Sequence, residues 1–437
     1  MSISALADCV ATIRAESERH RTAIGLHTVD TLAVLAAGLK AREGERIARF
    51  FGAADDATRA AGMAAVIRFT ECDDIHVPSC MTAGAIVIPV ALTFAVDSES
   101  YARAVEAGYA VGLAFAQAVG GVAALPQGVW PALFAAPAVA AVTASVAMKC
   151  DRAVTANALA LAMAGASGRA GRPGGWPSGR WFVFGEATLK GVRAALATLQ
   201  GFRGDIDLIS DAWLRRQTAP ELAAIEHLSG LVEGAVAQVG CKPYVAARQG
   251  SNAIQALITL LDQGLAPDAI ERVEVFLPGE ATGIVKQPLD TANRLSTIAN
   301  LGLQLGIAAY ERDRLLDIER THPFKPETLA FASRVTVTAD DALLSRGGPS
   351  WPARVRAQSA NGAMEAQCDV LSGDPHDKQQ AERVKRKRER LGIIDAPLDP
   401  AGWRGDGWHT FFQAQRRAFA ALETPAKEDG GRLSNIA

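Results

Sequence analysis

The sequence contains little cysteine, and its cysteines show no pairing pattern. Six cysteines are spread over 437 residues, and no two of them form a C-x-x-C pair. Disulfide frameworks and structural zinc sites need cysteines at close, regular spacings. The sequence therefore predicts reduced thiols, as expected for a cytoplasmic protein, rather than a disulfide framework or a zinc site.

A strong net charge and a clean membrane span are also missing. The formal net charge is -2 with 21% charged residues, whereas nucleic-acid-binding proteins carry a basic surface. The uncharged stretch 120–148 is rich in Ala and Gly and contains three prolines, so it does not form a strongly apolar span of about 20 residues. Residues 1–21 carry charges throughout and lack the apolar centre of a secretory signal. We expect neither a nucleic-acid nor a membrane partner, and no P-loop or dinucleotide fingerprint is present.

Helical periodicity dominates the first half of the chain, and strand-like alternation appears only after residue 239. The patterns predict helices over residues 28–40, 55–69, 84–96, 98–119, 132–148, 153–164, 187–201, 247–263, 290–311, 377–390 and 408–422. They predict strands over residues 270–277, 334–338, 353–358 and 364–370. The predicted fold is mainly α: a helical domain over 1–238, a smaller α+β lid domain over 239–373, and helices over 374–437 that return to the first domain. The basic run 385–388 is predicted to be a solvated helix face.

An acidic cluster precedes the apolar segment 84–96. Glu71, Asp73, Asp74 and His76 fall within six residues. Carboxylates crowded beside a buried helix repel one another and lose solvation, which shifts their pKa values. This makes Asp73, Asp74 or His76 candidates for a general base, with Glu71 as their neighbour. The alternative is a polar loop in which Asp74 or Ser79 caps a helix. Adjacent residues rarely converge on one ion, so we expect no metal.

A second unusual segment spans residues 165–182, which include six glycines, two prolines and three arginines. Such a composition is incompatible with a helix interior, and a long loop inside a compact domain is usually functional or disordered. Its tryptophans, Trp176 and Trp181, argue against disorder. The segment is therefore predicted to be a substrate-site loop, with a purely structural loop as the alternative.

The order of motifs along the chain resembles the MmgE/PrpD family, which includes 2-methylcitrate dehydratase, cis-aconitate decarboxylase and iminodisuccinate epimerase. The resemblance rests on Asp73-Asp74, a helix with Pro89, Gly108-Tyr109-Ala110-Val111, the segment 185–191, and Lys242-Pro243-Tyr244. It implies a helical domain with an α+β lid, a site between them, and usually a homodimer. It also implies cofactor-free proton transfer next to a carboxylate of a di- or tricarboxylate.

Several positions depart from the family pattern. The two His-Pro pairs of the family are replaced by the stretch Cys80-Met81-Thr82 and by Trp130-Pro131, and a lysine of the Gly-rich loop is replaced by Arg180. A tyrosine of the lid falls near Ile298, and a histidine or cysteine falls near Ala247-Arg248. Lys242 is retained. An arginine binds a carboxylate but is a poor general acid.

These comparisons lead to a specific hypothesis for the site. The predicted catalytic residues are Asp73, Asp74, His76 and Lys242, and the predicted substrate-binding residues are Glu71, Met81, Trp130, Arg180, Trp181 and Arg248. The apolar replacements predict a substrate with one carboxylate, or none, and a hydrophobic or aromatic part. The predicted activity is that of a cofactor-free lyase or isomerase. The alternatives are an isomerase or cyclase acting on a more apolar metabolite, and an inactive family member that serves as a binding or scaffold protein.

Overall fold

The computed structural model describes residues 2–52, 54–170, 179–231, 233–320, 323–346, 351–375, 377–392, 400–403 and 405–422. Helices dominate the described chain. The helices of the first part are α1 Ile3–Thr12, α2 Glu18–Lys40, α3 Arg42–Phe51, α4 Asp56–Phe69, α5 Gly84–Phe94, α6 Ser98–Ala118, α7 Pro131–Ala147, α8 Arg152–Met163, α9 Arg180–Leu199 and α10 Asp211–Arg215. Those of the second part are α11 Arg248–Asp262, α12 Gly279–Val285, α13 Arg294–Ala299, α14 Leu301–Tyr310, α15 Pro326–Ala332, α16 Gln380–Arg390 and α17 Asp406–Leu422.

One large hydrophobic core holds the first group of helices together. The helices α5 and α7 are apolar on all sides, so they lie in the middle of this core and bury nearly all of their side chains. Polar caps mark the helix starts around them: Asp97 begins α6 with a capping box, and Asp55 accepts a hydrogen bond from Thr58 N at the start of α4. The C-terminal helices α16 and α17 contribute Val384, Trp408 and Phe412 to the same core.

Among the described residues, α2 is long and apolar enough by itself to cross a bilayer. However, 72% of its apolar window is buried inside the protein, which is the burial expected of a core helix.

A second hydrophobic core is built around a four-stranded sheet. The strands β3 Ile270–Leu277, β4 Val335–Ala339, β5 Ala353–Ser359 and β6 Gly362–Cys368 lie in the order β4-β3-β5-β6. The β3–β4 pair is parallel, whereas β3–β5 and β5–β6 are antiparallel. The helices α11 and α14 cover this sheet. The mainly α fold with a small α+β region is thus confirmed, while the predicted domain boundaries remain a prediction.

Two of the contacts between the first and second regions hold the acidic cluster and the end of α4. The strand β1 Asp74–Ile75 pairs with β2 Gly240–Cys241, so the acidic cluster is hydrogen-bonded to the beginning of the second region. Arg294, at the start of α13, donates to the carbonyl oxygens of Phe69 and Thr70 at 2.9 and 3.1 Å. A guanidinium is a favourable partner for the unpaired carbonyls of a helix end. The C-terminal end of α4 and the acidic cluster are therefore fixed by backbone contacts with segments after residue 239.

Several sequence-based expectations were wrong in detail. The helix α2 begins ten residues earlier than predicted, where Ser17 provides a cap. The predicted helix over 290–311 is two helices, because Asn300 ends α13 and caps α14. The last residues of the Gly-rich segment, from Arg180 onward, form the first turn of α9 rather than a loop. The basic run 385–388 is only half solvated, since Lys387 and Arg388 are each 5% exposed.

Candidate active site

A cavity of about 440 Å³ lies between the two cores. Its walls from the helical side include Arg68, Glu71, Cys80, Thr82, Leu125, Val129, Trp130 and Arg180. Its walls from the α+β side include Lys242, Ala247, Arg248, Glu280, Ile284, Leu295 and Ile298. The positions at which the sequence departs from the family pattern thus meet in one place, with the exception of Met81.

Three cations and two carboxylates form a buried network at one end of this cavity. Arg68 NH1 donates to Glu71 Oε2 at 2.8 Å and to Asp73 Oδ1 at 3.3 Å. Lys242 Nζ lies 2.6 Å from Asp73 Oδ1 and 3.7 Å from Glu71 Oε2. Arg180 NH2 lies 3.5 Å from Glu71 Oε1. Within this network three positive groups face two negative ones, which leaves one excess positive charge.

The local backbone explains how Glu71 and Asp73 reach the network. The helix α4 ends at Phe69, and Glu71 then adopts a left-handed φ of 56°, which is uncommon for a non-glycine residue. Beyond this turn, Lys387 Nζ donates to Cys72 O at 2.6 Å and to Asp30 Oδ2 at 2.9 Å. The C-terminal helix α16 therefore supports the turn that carries both carboxylates.

Burial and the neighbouring cations act on the two carboxylates in opposite directions. Burial would raise the pKa of Glu71, but Arg68, Arg180 and Lys242 together hold it below its ordinary value. For Asp73, burial prevails over the attraction of Arg68 and Lys242, and the pKa is raised. Glu71 is thus a permanent counter-ion, whereas Asp73 is the carboxylate more ready to take a proton.

Two indole rings hold the arginines in place. The Arg180 guanidinium carbon lies 4.5 Å from the centroid of the Trp130 ring and 5.1 Å from that of Trp181. Arg68 is 5.5 Å from Trp130 and 5.6 Å from Trp181. Such cation–π contacts stabilise a guanidinium that has lost water. Trp130 lines the cavity, whereas Trp181 lines an adjoining groove with Phe50 and Phe182.

Asp74 is placed differently from Asp73. It does not line the cavity, and its oxygens accept hydrogen bonds from Gly84 N, from Tyr109 OH at 2.5 Å and from His27 Nδ1 at 3.1 Å. A Cβ on Gly84 would lie 2.7 Å from Asp74 Oδ2, so a glycine is needed for this approach. This arrangement ties α2, α5 and α6 together and favours a structural role for Asp74.

His76 and Met81 also lie outside the cavity lining. The backbone N–H of Ser79 donates to His76 Nδ1 at 3.4 Å, and burial lowers the pKa of His76 to about 4. The ring is therefore neutral near pH 7. Met81 is fully buried and packs against Gly112 of α6. The structure brings together Glu71, Asp73, Trp130, Arg180 and Lys242, but not His76 or Met81.

The remaining predicted residue, Arg248, lines a different part of the cavity and is held there by a carboxylate. Its NH2 donates to both oxygens of Asp374 at 2.8 Å, and its NH1 donates to Asn252 Oδ1 at 2.7 Å. Trp351 lies 5.9 Å from the Arg248 guanidinium and donates from Nε1 to Glu280 Oε1 at 2.8 Å. Among the described residues, this part of the cavity therefore shows no excess positive charge.

The predicted substrate-site loop lies only partly within the described residues. Residues 171–178, which include Arg172 and Trp176, lie outside the described residues. In the parts of the chain that are described, no three His, Cys, Asp or Glu side chains come together as a metal site would require.

Residues 4–217 match the MmgE/PrpD N-terminal domain. Together with the two-core fold and the cavity described above, this match identifies the chain as a member of the MmgE/PrpD family. The family consists generally of dehydratase- and lyase-type enzymes. No curated protein matches the sequence.

Arg68 was not predicted from the sequence, although it contacts both carboxylates of the network. The available signal was an arginine in the last turn of an Ala-rich, buried helix, three residues before Glu71. Asp374 and Glu280 were also missed, since they lie more than 150 residues from the acidic cluster in the sequence and have no motif of their own.

Proposed function

We propose that the chain is a cofactor-free lyase or isomerase that removes a proton from the carbon next to the carboxylate of a small acid. The observation that carries this proposal is the excess positive charge of the network formed by Arg68, Arg180, Lys242, Glu71 and Asp73. Because the network is buried at one end of a largely apolar cavity, one carboxylate would neutralise it, and the rest of the acid would contact apolar walls.

Arg180 and Arg68 would bind the substrate carboxylate. Arg180 is suited to this role because its side chain is 23% exposed and its ion pair with Glu71, at 3.5 Å, is long. Trp130 and Trp181 would keep its guanidinium oriented while the substrate enters. A guanidinium binds a carboxylate in two parallel hydrogen bonds, which also stabilises the negative charge that develops when the neighbouring carbon loses its proton.

Lys242 would carry the proton. Its ammonium group lines the cavity and is bound to Asp73. Transfer of a proton from Lys242 to Asp73 removes two buried charges and leaves a neutral amine, which then takes the proton from the substrate carbon. The raised pKa of Asp73 favours this transfer. The resulting carbanion either expels a group from the next carbon, as in a lyase, or takes a proton back, as in an isomerase.

Hydrogen–deuterium exchange tests the proposal without knowledge of the product. A panel of carboxylic acids is incubated with the protein in D₂O, and proton NMR follows the signal next to each carboxylate. We expect exchange, or a new product, with at least one acid. For Lys242→Met we expect a rate at least about 100-fold lower, the typical effect of removing an acid–base group.

The control variant is Lys385→Met, which removes an exposed lysine of α16 and should leave the exchange rate unchanged. Binding of an acid without exchange or product would contradict the lyase or isomerase proposal and favour an inactive binding protein. Equal exchange rates in Lys242→Met and the wild type would show that Lys242 is not the proton carrier.

A further inference from the structure

The charged residues that line the cavity form two groups, which we call its two ends, and the two groups differ in charge. At the end formed by Arg68, Arg180 and Lys242, cations outnumber carboxylates. At the other end, the only cation among the described lining residues is Arg248, and it faces Asp374 and the neighbouring Glu280. An acid with two carboxylates would have to place its second carboxylate at this second end.

Arg248 would be a good partner for such a carboxylate if it were not already bound. Its guanidinium is 1% exposed, and Asp374 accepts from it with both oxygens at 2.8 Å. Asp374 thus binds the guanidinium with both of its carboxylate oxygens, as a substrate carboxylate would. Asp374 is itself fixed, because Leu371 N donates to its Oδ2 at 3.1 Å. The guanidinium is therefore not available to a substrate carboxylate in the cavity.

Glu280 adds a negative charge at the same end. It lines the cavity from the first turn of α12, is exposed, and accepts a hydrogen bond from Trp351 Nε1. A carboxylate placed near Glu280 would lose water and meet a like charge, which is unfavourable on both counts.

We infer that Asp374 and Glu280 are specificity-determining residues that restrict the cavity to acids with a single carboxylate. Asp374 acts by occupying Arg248, and Glu280 acts by repulsion. The inference rests on the proposed function, because it assumes that the first carboxylate binds at the Arg68–Arg180–Lys242 end. The inference adds the substrate class, which is monocarboxylic acids with an apolar body. It also assigns the selection between acids to residues outside the proton-transfer network.

Two acids of equal chain length, octanoate and octanedioate, provide the test, and calorimetric titration gives the dissociation constant of each. The wild type should bind octanoate at least about tenfold more tightly than octanedioate, since one charge-assisted hydrogen bond is worth about that factor. In Asp374→Asn, which frees the guanidinium, this preference should shrink by about tenfold. In Glu280→Gln it should shrink by about threefold, as expected for one exposed charge.

The matched control is the double variant Arg248→Met with Asp374→Asn. It lacks both the Asp374 carboxylate and the Arg248 guanidinium, so its preference for octanoate over octanedioate should equal that of the wild type. If Asp374→Asn fails to fold, Glu280→Gln still tests the inference, because an exposed side chain tolerates this change.

The outcomes separate the inference from the proposed function. A wild-type preference for octanoate that neither Asp374→Asn nor Glu280→Gln alters would overturn the inference alone. A preference for octanedioate would also overturn it, although exchange that depends on Lys242 would still support the proton-transfer proposal. Binding of neither acid would overturn the inference together with the acid-binding part of the proposed function.

Discussion

Lys242 Nζ lies 2.6 Å from Asp73 Oδ1, although the two residues are 169 positions apart in the sequence. Lys242 follows β2 and Asp73 precedes β1, and the β1–β2 pairing sets their separation. The ion pair is buried, with the two side chains 3% and 1% exposed. The proton-transfer pair of the proposed mechanism is therefore located where the cores are hydrogen-bonded to each other.

Asp73→Asn should separate proton transfer from binding. Asparagine keeps the shape of the side chain but cannot take a proton from Lys242. Because Asp73 does not line the cavity, we expect the exchange rate to fall at least about tenfold, and the dissociation constant of an exchanging acid to change much less. NMR exchange and calorimetric titration measure the two quantities. An equal loss in both would show that Asp73 only holds Lys242 in position.

His76 should make the protein less stable in acid. Its pKa is about 4 in the folded protein, against an ordinary value of 6.5, because burial disfavours the charged ring. The contribution of the neutral His76 ring to the free energy of unfolding is complete above pH 6.5. It is lost as the pH falls towards 4, because the unfolded chain takes up a proton at a higher pH than the folded protein. The loss should amount to about 3 kcal/mol. Urea unfolding at pH 7, 5.5 and 4.5 should show a steeper decline for the wild type than for His76→Asn.

Lys387 should contribute strongly to stability through Asp30. Removing one partner of a buried ion pair leaves an uncompensated charge, which typically costs about 3–5 kcal/mol. We therefore expect Lys387→Met to be strongly destabilised, and the double variant Lys387→Met with Asp30→Asn to regain much of the loss. The exposed neighbour Lys385 provides the control: Lys385→Met should change the free energy of unfolding by less than about 0.5 kcal/mol. Equal stability of the two single variants would contradict the structure.

Gly84→Ala tests the packing around Asp74. The new Cβ would lie 2.6 Å from Tyr109 OH and 2.7 Å from Asp74 Oδ2. Because the core around these atoms is closely packed, relief of the clash should cost about 1–3 kcal/mol. A lower melting temperature for Gly84→Ala, with Gly283→Ala as a control where no atom lies within 4 Å of the new Cβ, would support this packing. An unchanged melting temperature would argue against it.

Local patterns predicted most of the fold. The strand at Ile270–Leu277 was predicted with its observed ends, because Val273, Val275 and Leu277 are buried in alternation with less buried residues. The helix α9 was predicted to begin at residue 187, whereas it begins at Arg180. The glycines before Arg180 obscure the helical pattern of its first residues. The buried side of the run 385–388 was also not predicted. Its burial depends on Asp30 and the Cys72 carbonyl, which lie more than 300 positions away, and sequence spacing carries no information on such partners.

The candidate site was predictable only in part, for the same reason. Asp73, Arg180 and Lys242 occupy positions that could be matched to the family pattern, and Glu71 was found through the acidic cluster next to Asp73. The different environments of Asp73 and Asp74 could not be foreseen, since they depend on partners that are remote in the sequence: Lys242 binds Asp73, whereas Tyr109 and His27 bind Asp74. Arg68, Glu280 and Asp374 acquire their significance from neighbours that are remote in the sequence.

The bond between Lys387 and Asp30 connects residues that are 357 positions apart. On a ribosome that adds about 5–20 residues per second, Asp30 is made well before its partner. Any helical core that forms around α2 during the intervening tens of seconds contains a carboxylate that has not yet received its cation. The turn that carries Glu71 and Asp73 is thus completed only after α16 is synthesised. A nascent chain interrupted before this helix should remain a substrate for chaperones and proteases.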